Sequence, residues 1–292
     1  MPALVVVLGL GIVVAPLAAC GRADREDVGV PLEVMSFNLR WGPDPPPNDW
    51  ETRRERVTAL LRGEMPDVVG FQESRDAYVE DLLAALPGYA AYPEQGDRRN
   101  AILYRASRLR LDREVSDAEN ARVDAPEEDW GPGSVRLPRA ARFVEEESGR
   151  GFYVYNNHMD HRSAPSRAWS AQVLIDRIRG RRLDDPVILT GDFNAAASGP
   201  AMSFLRGEAP LTSGEGTVSN PIPFADAWHE RHPNALASGT YHRFVGVRFG
   251  PRVDYVLAGP GIRVVEARIL RDEWEGRYPS DHFPVSAKLL LP

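Results

Sequence analysis

Pro186-Val187-Ile188-Leu189-Thr190-Gly191-Asp192-Phe193-Asn194 is the stretch that decides the reading of this chain. Its first five residues suit a buried strand, and the run then turns abruptly polar at Asp192 and Asn194. Moving outward, the same pattern recurs. Upstream, Glu33–Phe37 is followed by Asn38, Asp67–Phe71 by Gln72 and Glu73, and Gly151–Asn157 by His158 and Asp160. Downstream, Asp281 and His282 immediately precede the apolar run Phe283–Leu290, and Val253–Ala258 carries Asp254 inside it. Ala101–Tyr104 is a seventh short run. A carboxylate within an apolar strand is costly unless paired or hydrogen-bonded, so Asp254 needs a partner.

Helical patterns separate these runs. Glu51–Arg62 is built of good helix formers, and Arg75–Leu86 stops at Pro87-Gly88. Ser166–Arg179 places Ala171, Leu174, Ile175 and Ile178 on one face. Strands alternating with helices predict an α/β fold. In such folds the loops at strand ends are the usual place for a site, which is where the polar residues fall. Residues 43–49 are proline-rich and read as a rigid surface loop. Residues 116–138 are polar and acidic and read as a long excursion.

Hydrophobic residues make up 43% of the 292 residues and charged residues 26%, a globular composition that calls for no disorder in the main body of the chain. The net charge of −7 and the lack of an obvious basic loop argue against nucleic acid as the main partner. Cys20 is the only cysteine, which excludes a disulfide framework and a cysteine metal site. Residues 4–19 form an apolar, small-residue stretch ending in Leu17-Ala18-Ala19-Cys20. It is too short for a comfortable membrane span of about 20 residues but fits a secretory signal. The Leu-Ala-Ala-Cys run resembles the bacterial lipoprotein processing box, which implies cleavage before Cys20 and acylation of that thiol. The expected organisation is a signal at 1–19, a tether at 20–31 and one folded domain at 32–292. The expected location is the bacterial envelope, with the membrane held through the Cys20 anchor.

Singly, a strand-end Asp or Asn is more often a turn or cap residue. Six such clusters joined to strands are hard to explain by turns alone. The set is rich in oxygen donors, which suits a hard cation. There is no His-Glu-x-x-His, no cysteine cluster and no phosphate-binding Gly-x-x-x-x-Gly-Lys loop.

The ordered motifs resemble the endonuclease/exonuclease/phosphatase superfamily from Leu32 to the C-terminus. They are Ser36-Phe37-Asn38, Gln72-Glu73, Asn157-His158-Met159-Asp160-His161, Gly191-Asp192-Phe193-Asn194, Arg252-Val253-Asp254-Tyr255 and Ser280-Asp281-His282. The resemblance implies two packed mixed β-sheets flanked by helices, with one Mg²⁺ site, or Mn²⁺ in its place. It implies Glu73 as principal metal ligand, with Asn38 and Asp281 completing or supporting the site. It implies Asp192 as the base for the attacking water, Asn194 and His158 on phosphoryl oxygens, and His282 on the phosphoryl group, oriented by Asp254. Arg40 stands where nuclease branches often carry an acid. The fullest resemblance is to a bacterial subgroup of unassigned substrate, which shares Asn48-Asp49-Trp50 with the Arg53-Arg54 pair, Pro138-Arg139 and Thr240–Phe244. It makes Arg54, Arg139 and His242 candidate substrate contacts, with Asp160 a fourth. The leading expectation is a monomeric hydrolase of a small or lipid-linked phosphoester. A nuclease comes second, and a surface binding lipoprotein on a degenerate phosphoesterase fold third.

Overall fold

Nearly continuous apolar runs belong to strands buried on both faces, and the central strands of this protein are of that kind. The computed structural model describes residues 29–122, 136–213 and 216–292, together with Met1 and Ala3. The expected signal segment and Cys20 lie outside the described residues. Among the described residues no helix is long and apolar enough to cross a membrane.

The chain runs β1 (Val30–Asn38), α1 (Trp50–Glu64), β2 (Val68–Gln72), α2 (Asp76–Ala85), β3 (Tyr89–Tyr92) and β4 (Ile102–Arg105). It continues through β5 (Leu109–Asp112), α3 (Arg113–Ala121), β6 (Arg139–Glu145), β7 (Gly151–His158), α4 (Ala164–Arg179) and β8 (Val187–Asp192). Then come α5 (Pro200–Leu205), β9 (Leu211–Ser213), β10 (Gly216–Val218), β11 (Ala225–Asp226) and α6 (Ala227–Arg231). β12 (Asp254–Ala258), β13 (Arg263–Ile269) and β14 (Val285–Leu291) complete it.

The strands form two six-stranded mixed sheets, ordered β13-β14-β1-β2-β4-β3 and β11-β12-β8-β7-β6-β5, with a small β9–β10 hairpin apart. Each sheet holds one parallel pair, β1 with β2 and β7 with β8, and the other neighbours are antiparallel. The alternation of side chains along each strand makes the layers. Val34, Val68 and Ile102 face Phe152, Val154, Ile188 and Val256 between the sheets. Their neighbours Met35, Phe37 and Val69 pack outward with Val57, Leu61 and Leu82 of α1 and α2. On the other side, Tyr155, Leu189 and Leu257 pack with Leu174, Ile178 and Phe204 of α4 and α5. The expected two-sheet α/β sandwich is the architecture found.

Three differences from the sequence reading have local causes. Part of the expected 116–138 excursion is the helix α3, whose Glu119 turns inward to accept the Arg182 amide at 2.8 Å. β1 begins at Val30, ahead of the expected Glu33, because Val30 already pairs with Leu291. β3, β5, β6 and β13 escaped notice because they lie at or near sheet edges, are short, or alternate with exposed arginines as β13 does.

Side-chain caps start the two longest helices. Asp49 accepts the Thr52 amide at 3.0 Å to start α1, and Ser163 accepts the Ser166 amide at 3.2 Å to start α4. Arg53 on α1 is fully buried and binds backbone carbonyls: Leu39 at 3.0 Å, Asn48 at 2.6 Å, Pro279 at 2.8 Å and Arg40 at 3.3 Å. It ties the turn after β1 to the segment just before Ser280 and Asp281.

Candidate active site

The parallel pairs β1–β2 and β7–β8 end side by side, so their C-terminal residues meet across the two sheets. A buried polar network joins them. Asn156 Oδ1 accepts Gln72 Nε2 at 2.7 Å and Thr190 Oγ1 at 3.1 Å, and Asn156 Nδ2 donates to the Phe71 carbonyl at 2.6 Å. Gly70 makes this approach feasible, since a Cβ there would lie 2.1 Å from Thr190 Oγ1 and 2.5 Å from Asn156 Oδ1. The sequence reading passed over this network because its members stand inside or beside apolar runs.

One or two residues further along the strands lies the chemistry. Asn38, the last residue of β1, is buried, and its Nδ2 donates to Glu73 Oε1 at 3.3 Å and to Asp192 Oδ2 at 3.1 Å. Its Oδ1 accepts the Arg40 amide at 2.9 Å. Two carboxylates and one amide N–H fix which way this side chain points, and they make Asn38 a brace for Glu73 and Asp192. Glu73 Oε2 also accepts the Trp41 amide at 2.8 Å. Burial works against its charge, but that amide, the His158 ring and Asn38 outweigh it and hold the Glu73 pKa below the usual carboxylate value.

Asp192 ends β8, with Asp254 of β12 opposite it on one side and His158 of β7 on the other. Burial, then the charge of Asp254, push its pKa up to about 7. His282 Nδ1 lies 2.8 Å from Asp254 Oδ2, so the partner that the strand aspartate needed is this imidazole. Burial alone would lower the His282 pKa, yet the Asp254 charge and hydrogen bond overcome it and push the value up to about 10. His158 is held neutral, at about 4, chiefly by burial and then by the Arg136 charge, with its Nε2 3.9 Å from both Glu73 Oε1 and Asp192 Oδ2. Asn194 adopts a left-handed backbone (φ 48°), accepts nothing at its own oxygen among the bonds formed here, and donates Nδ2 to the Met159 carbonyl at 2.9 Å. Asp281 is buried with Arg40 Nε 3.8 Å away, and burial raises its pKa.

These groups floor an open cleft of about 1180 Å³. Arg40, Arg99, Arg136, Arg139 and Arg243 are among its lining residues, so a chain of net charge −7 concentrates arginine at the one place where its strand-end acids converge. Arg136 and Trp41 were not picked out from the sequence, because single residues in loops carry no periodic signal; Arg40 stood out only as a departure from the nuclease branches, and Tyr241 and Arg243 only within Thr240–Phe244.

Four sequence candidates fare differently. Arg139 lines the cleft. Arg54 does not; it is half-exposed on α1 and faces Asp81 at 3.7 Å, while its neighbour Arg53 turns inward. One helical step of about 100° separates the two, and the sequence pair alone could not say which faced in. His242 is buried behind the site, stacked on Phe283 at 3.8 Å, with Nδ1 accepting the Gly246 amide at 3.2 Å. Asp160 is also buried, its Oδ1 accepting the Arg162 and Ser163 amides at 2.7 Å, which makes it the turn residue leading into α4.

The acids suit a hard divalent cation. Glu73, Asp192, Asp254 and Asp281 crowd into one buried place with His282 and Arg40 as their nearest positive charges. Asp192, Asp254 and His282 offer donor atoms all within 4.8 Å of one another. There, however, Asp254 Oδ2 and His282 Nδ1 are already bonded to each other. Glu73 and Asp281 line the cleft, and among the described residues neither carboxylate is hydrogen-bonded to a charged side chain as Asp254 is, so they are the better holders.

Residues 35–282 match the family model described as the endonuclease/exonuclease/phosphatase family, and the chain belongs to that family. Members of that family are hydrolases of the phosphoesterase and nuclease type that generally use a divalent metal. A family protein from Bacteroides thetaiotaomicron superposes with a TM-score of 0.72 at 24% identity, covering 90% of this chain and 96% of that one. The mannosyl-6-phosphatase of Bacteroides thetaiotaomicron superposes with a TM-score of 0.70 at 25% identity, covering 89% of this chain and all (100%) of that one. Among curated sequences, an uncharacterised protein of Acanthamoeba polyphaga mimivirus is 29% identical over 159 residues, which is 50% of this chain and 59% of that protein.

Proposed function

We propose that this protein is a divalent-cation-dependent phosphoesterase of small phosphorylated molecules, with sugar phosphates the first class to consider. The observation that carries the reading is the convergence of Glu73, Asp192 and the Asp254–His282 pair on the floor of an arginine-lined cleft. The likeness to a mannosyl-6-phosphatase supports the sugar phosphate.

The chain's own groups divide the work. Asp192, with a pKa near 7, accepts the proton of an attacking water, and Asn38 holds its carboxylate in place. The water oxygen forms its bond to phosphorus as the ester P–O bond breaks opposite it, and the alcohol leaves with a proton from solvent. His282, kept as imidazolium by Asp254, donates from Nε2 to the phosphoryl group as negative charge builds on its oxygens. Neutral His158 and the remaining N–H of Asn194 complete the binding of those oxygens. A Mg²⁺ or Mn²⁺ held by Glu73 and Asp281 would supply charge stabilisation at the phosphate and the leaving oxygen.

A nuclease is the second reading, favoured by the arginines of the cleft. The two part in a panel of hexose phosphates, a phosphodiester and single-stranded oligonucleotides, each run with Mg²⁺ and with chelator. Faster turnover of hexose phosphates is the expected result. Cleavage of oligonucleotides with no release of phosphate from any monoester would overturn the reading.

A further inference from the structure

The wall of the cleft that runs from the 97–100 loop to the start of β6 carries charge that the hydrolytic step does not use. Arg99 is neutralised there: it binds Asp97 through Nε at 2.9 Å and Nη2 at 2.8 Å. The Asp97 carboxylate is therefore hydrogen-bonded to Arg99, and the more distant Arg139 charge adds only a smaller pull on it. Arg139 touches only the main chain of that residue, through Nη2 to the Asp97 carbonyl at 3.0 Å, and its buried Nε has no partner. Among the described residues Arg139 has no carboxylate within 4.0 Å, and neither has Arg136, whose guanidinium makes no hydrogen bond there. The Asn100 side chain lines the same wall, while Asn120 is committed to the Ser116 and Ala140 carbonyls at 2.6 and 2.7 Å.

Register separates the two cations. Arg139 pairs with Asn156, so the antiparallel β6–β7 ladder carries the chain on toward His158 as it runs back to Arg136. Arg136 thus lies toward His158, whose ring its charge reaches. Arg139 lies three residues away, at most about 10 Å along the backbone. A half-buried arginine with no carboxylate in contact has donors left for an anion, and a guanidinium fork suits a phosphoryl group or carboxylate.

We propose that Arg139, with Asn100, forms a second anion subsite, so that the preferred substrate carries another phosphoryl or equivalent anionic group about one sugar ring from the scissile ester. This rests on the phosphoesterase reading for the word substrate, but the subsite itself is a matter of binding. A bisphosphorylated sugar and a 5′-phosphorylated dinucleotide share the required chemistry.

The direct test uses ligands that cannot be hydrolysed. Calorimetry compares α,ω-alkane bisphosphonates with the matching alkane monophosphonates on the full chain. The wild type should bind the best bisphosphonate at least about tenfold more tightly than its monophosphonate, the scale of one charge-assisted contact. Arg139→Met should bring that ratio close to one, and Arg139→Lys should restore part of it. Equal binding of both ligand classes by the wild type, or a preference that survives in Arg139→Met, would overturn the subsite. Turnover of glucose 1,6-bisphosphate, glucose 6-phosphate and a 5′-phosphorylated dinucleotide then separates the sources. A preserved bisphosphonate preference with no monoester hydrolysis would refute the phosphoesterase reading and leave the subsite standing.

Discussion

Asp254 shows how far a single residue can be read. A carboxylate inside Val253-Asp254-Tyr255-Val256 demanded a partner, and the structure supplies His282 Nδ1 at 2.8 Å. The strand-end acids were legible in the same way, because charge beside an apolar run is conspicuous. Arg54 was not, since nothing in a bare Arg53-Arg54 pair says which side chain the helix turns inward. Nor were Asn156 and Gln72, whose pairing across two sheets involves residues 84 apart. The Asp254–His282 pair should act as one unit. Asp254→Asn and His282→Ala are each expected to lower kcat at least about 100-fold, with the double variant little worse than His282→Ala. The pair should also tilt stability with pH. His282 is raised from about 6.5 unfolded to about 10 folded, so the folded state holds the extra proton between those values. Its stabilisation is full below pH 6.5 and is lost as the pH rises toward 10. Melting temperatures measured at pH 6 and pH 9.5 should fall more steeply in the wild type than in His282→Ala; parallel slopes would show that the pair does not carry the proton.

At the scale of elements, the central strands were recognisable because burial on both faces leaves an unbroken apolar signature, while β3, β5, β6 and β13 blended into their loops. What holds the loops that bear the site is less visible in sequence. Arg53 satisfies four carbonyls from the turn after β1, the start of α1 and the Pro279 segment. Removing it leaves buried acceptors without donors, at about 1–3 kcal/mol each. Arg53→Ala should therefore cost about 3 kcal/mol or more in urea unfolding, whereas Arg54→Ala, exposed and facing Asp81, should stay within about 0.5 kcal/mol. Equal, small losses would mean that α1 does not brace the site.

At the scale of the molecule, β1 runs from the far side of the fold to the cleft. Asn38 lies at the cleft, and Val30 stands at the other end of a nine-residue strand, about 30 Å away. We propose that Cys20 is acylated, as its sequence context suggests. Membrane fractionation of a bacterial host should show Cys20→Ser in the soluble fraction and the wild type in the membrane fraction; identical partition would remove the anchor. The chemistry itself rests on Glu73, and the most direct test is phosphate release from a phosphomonoester with Mg²⁺ by the wild type and by Glu73→Gln, with calorimetric Mg²⁺ titration of both. The predicted result is weaker Mg²⁺ binding and at least about 100-fold less turnover in a variant that still folds; full turnover in Glu73→Gln, or in the wild type under excess chelator, would contradict it.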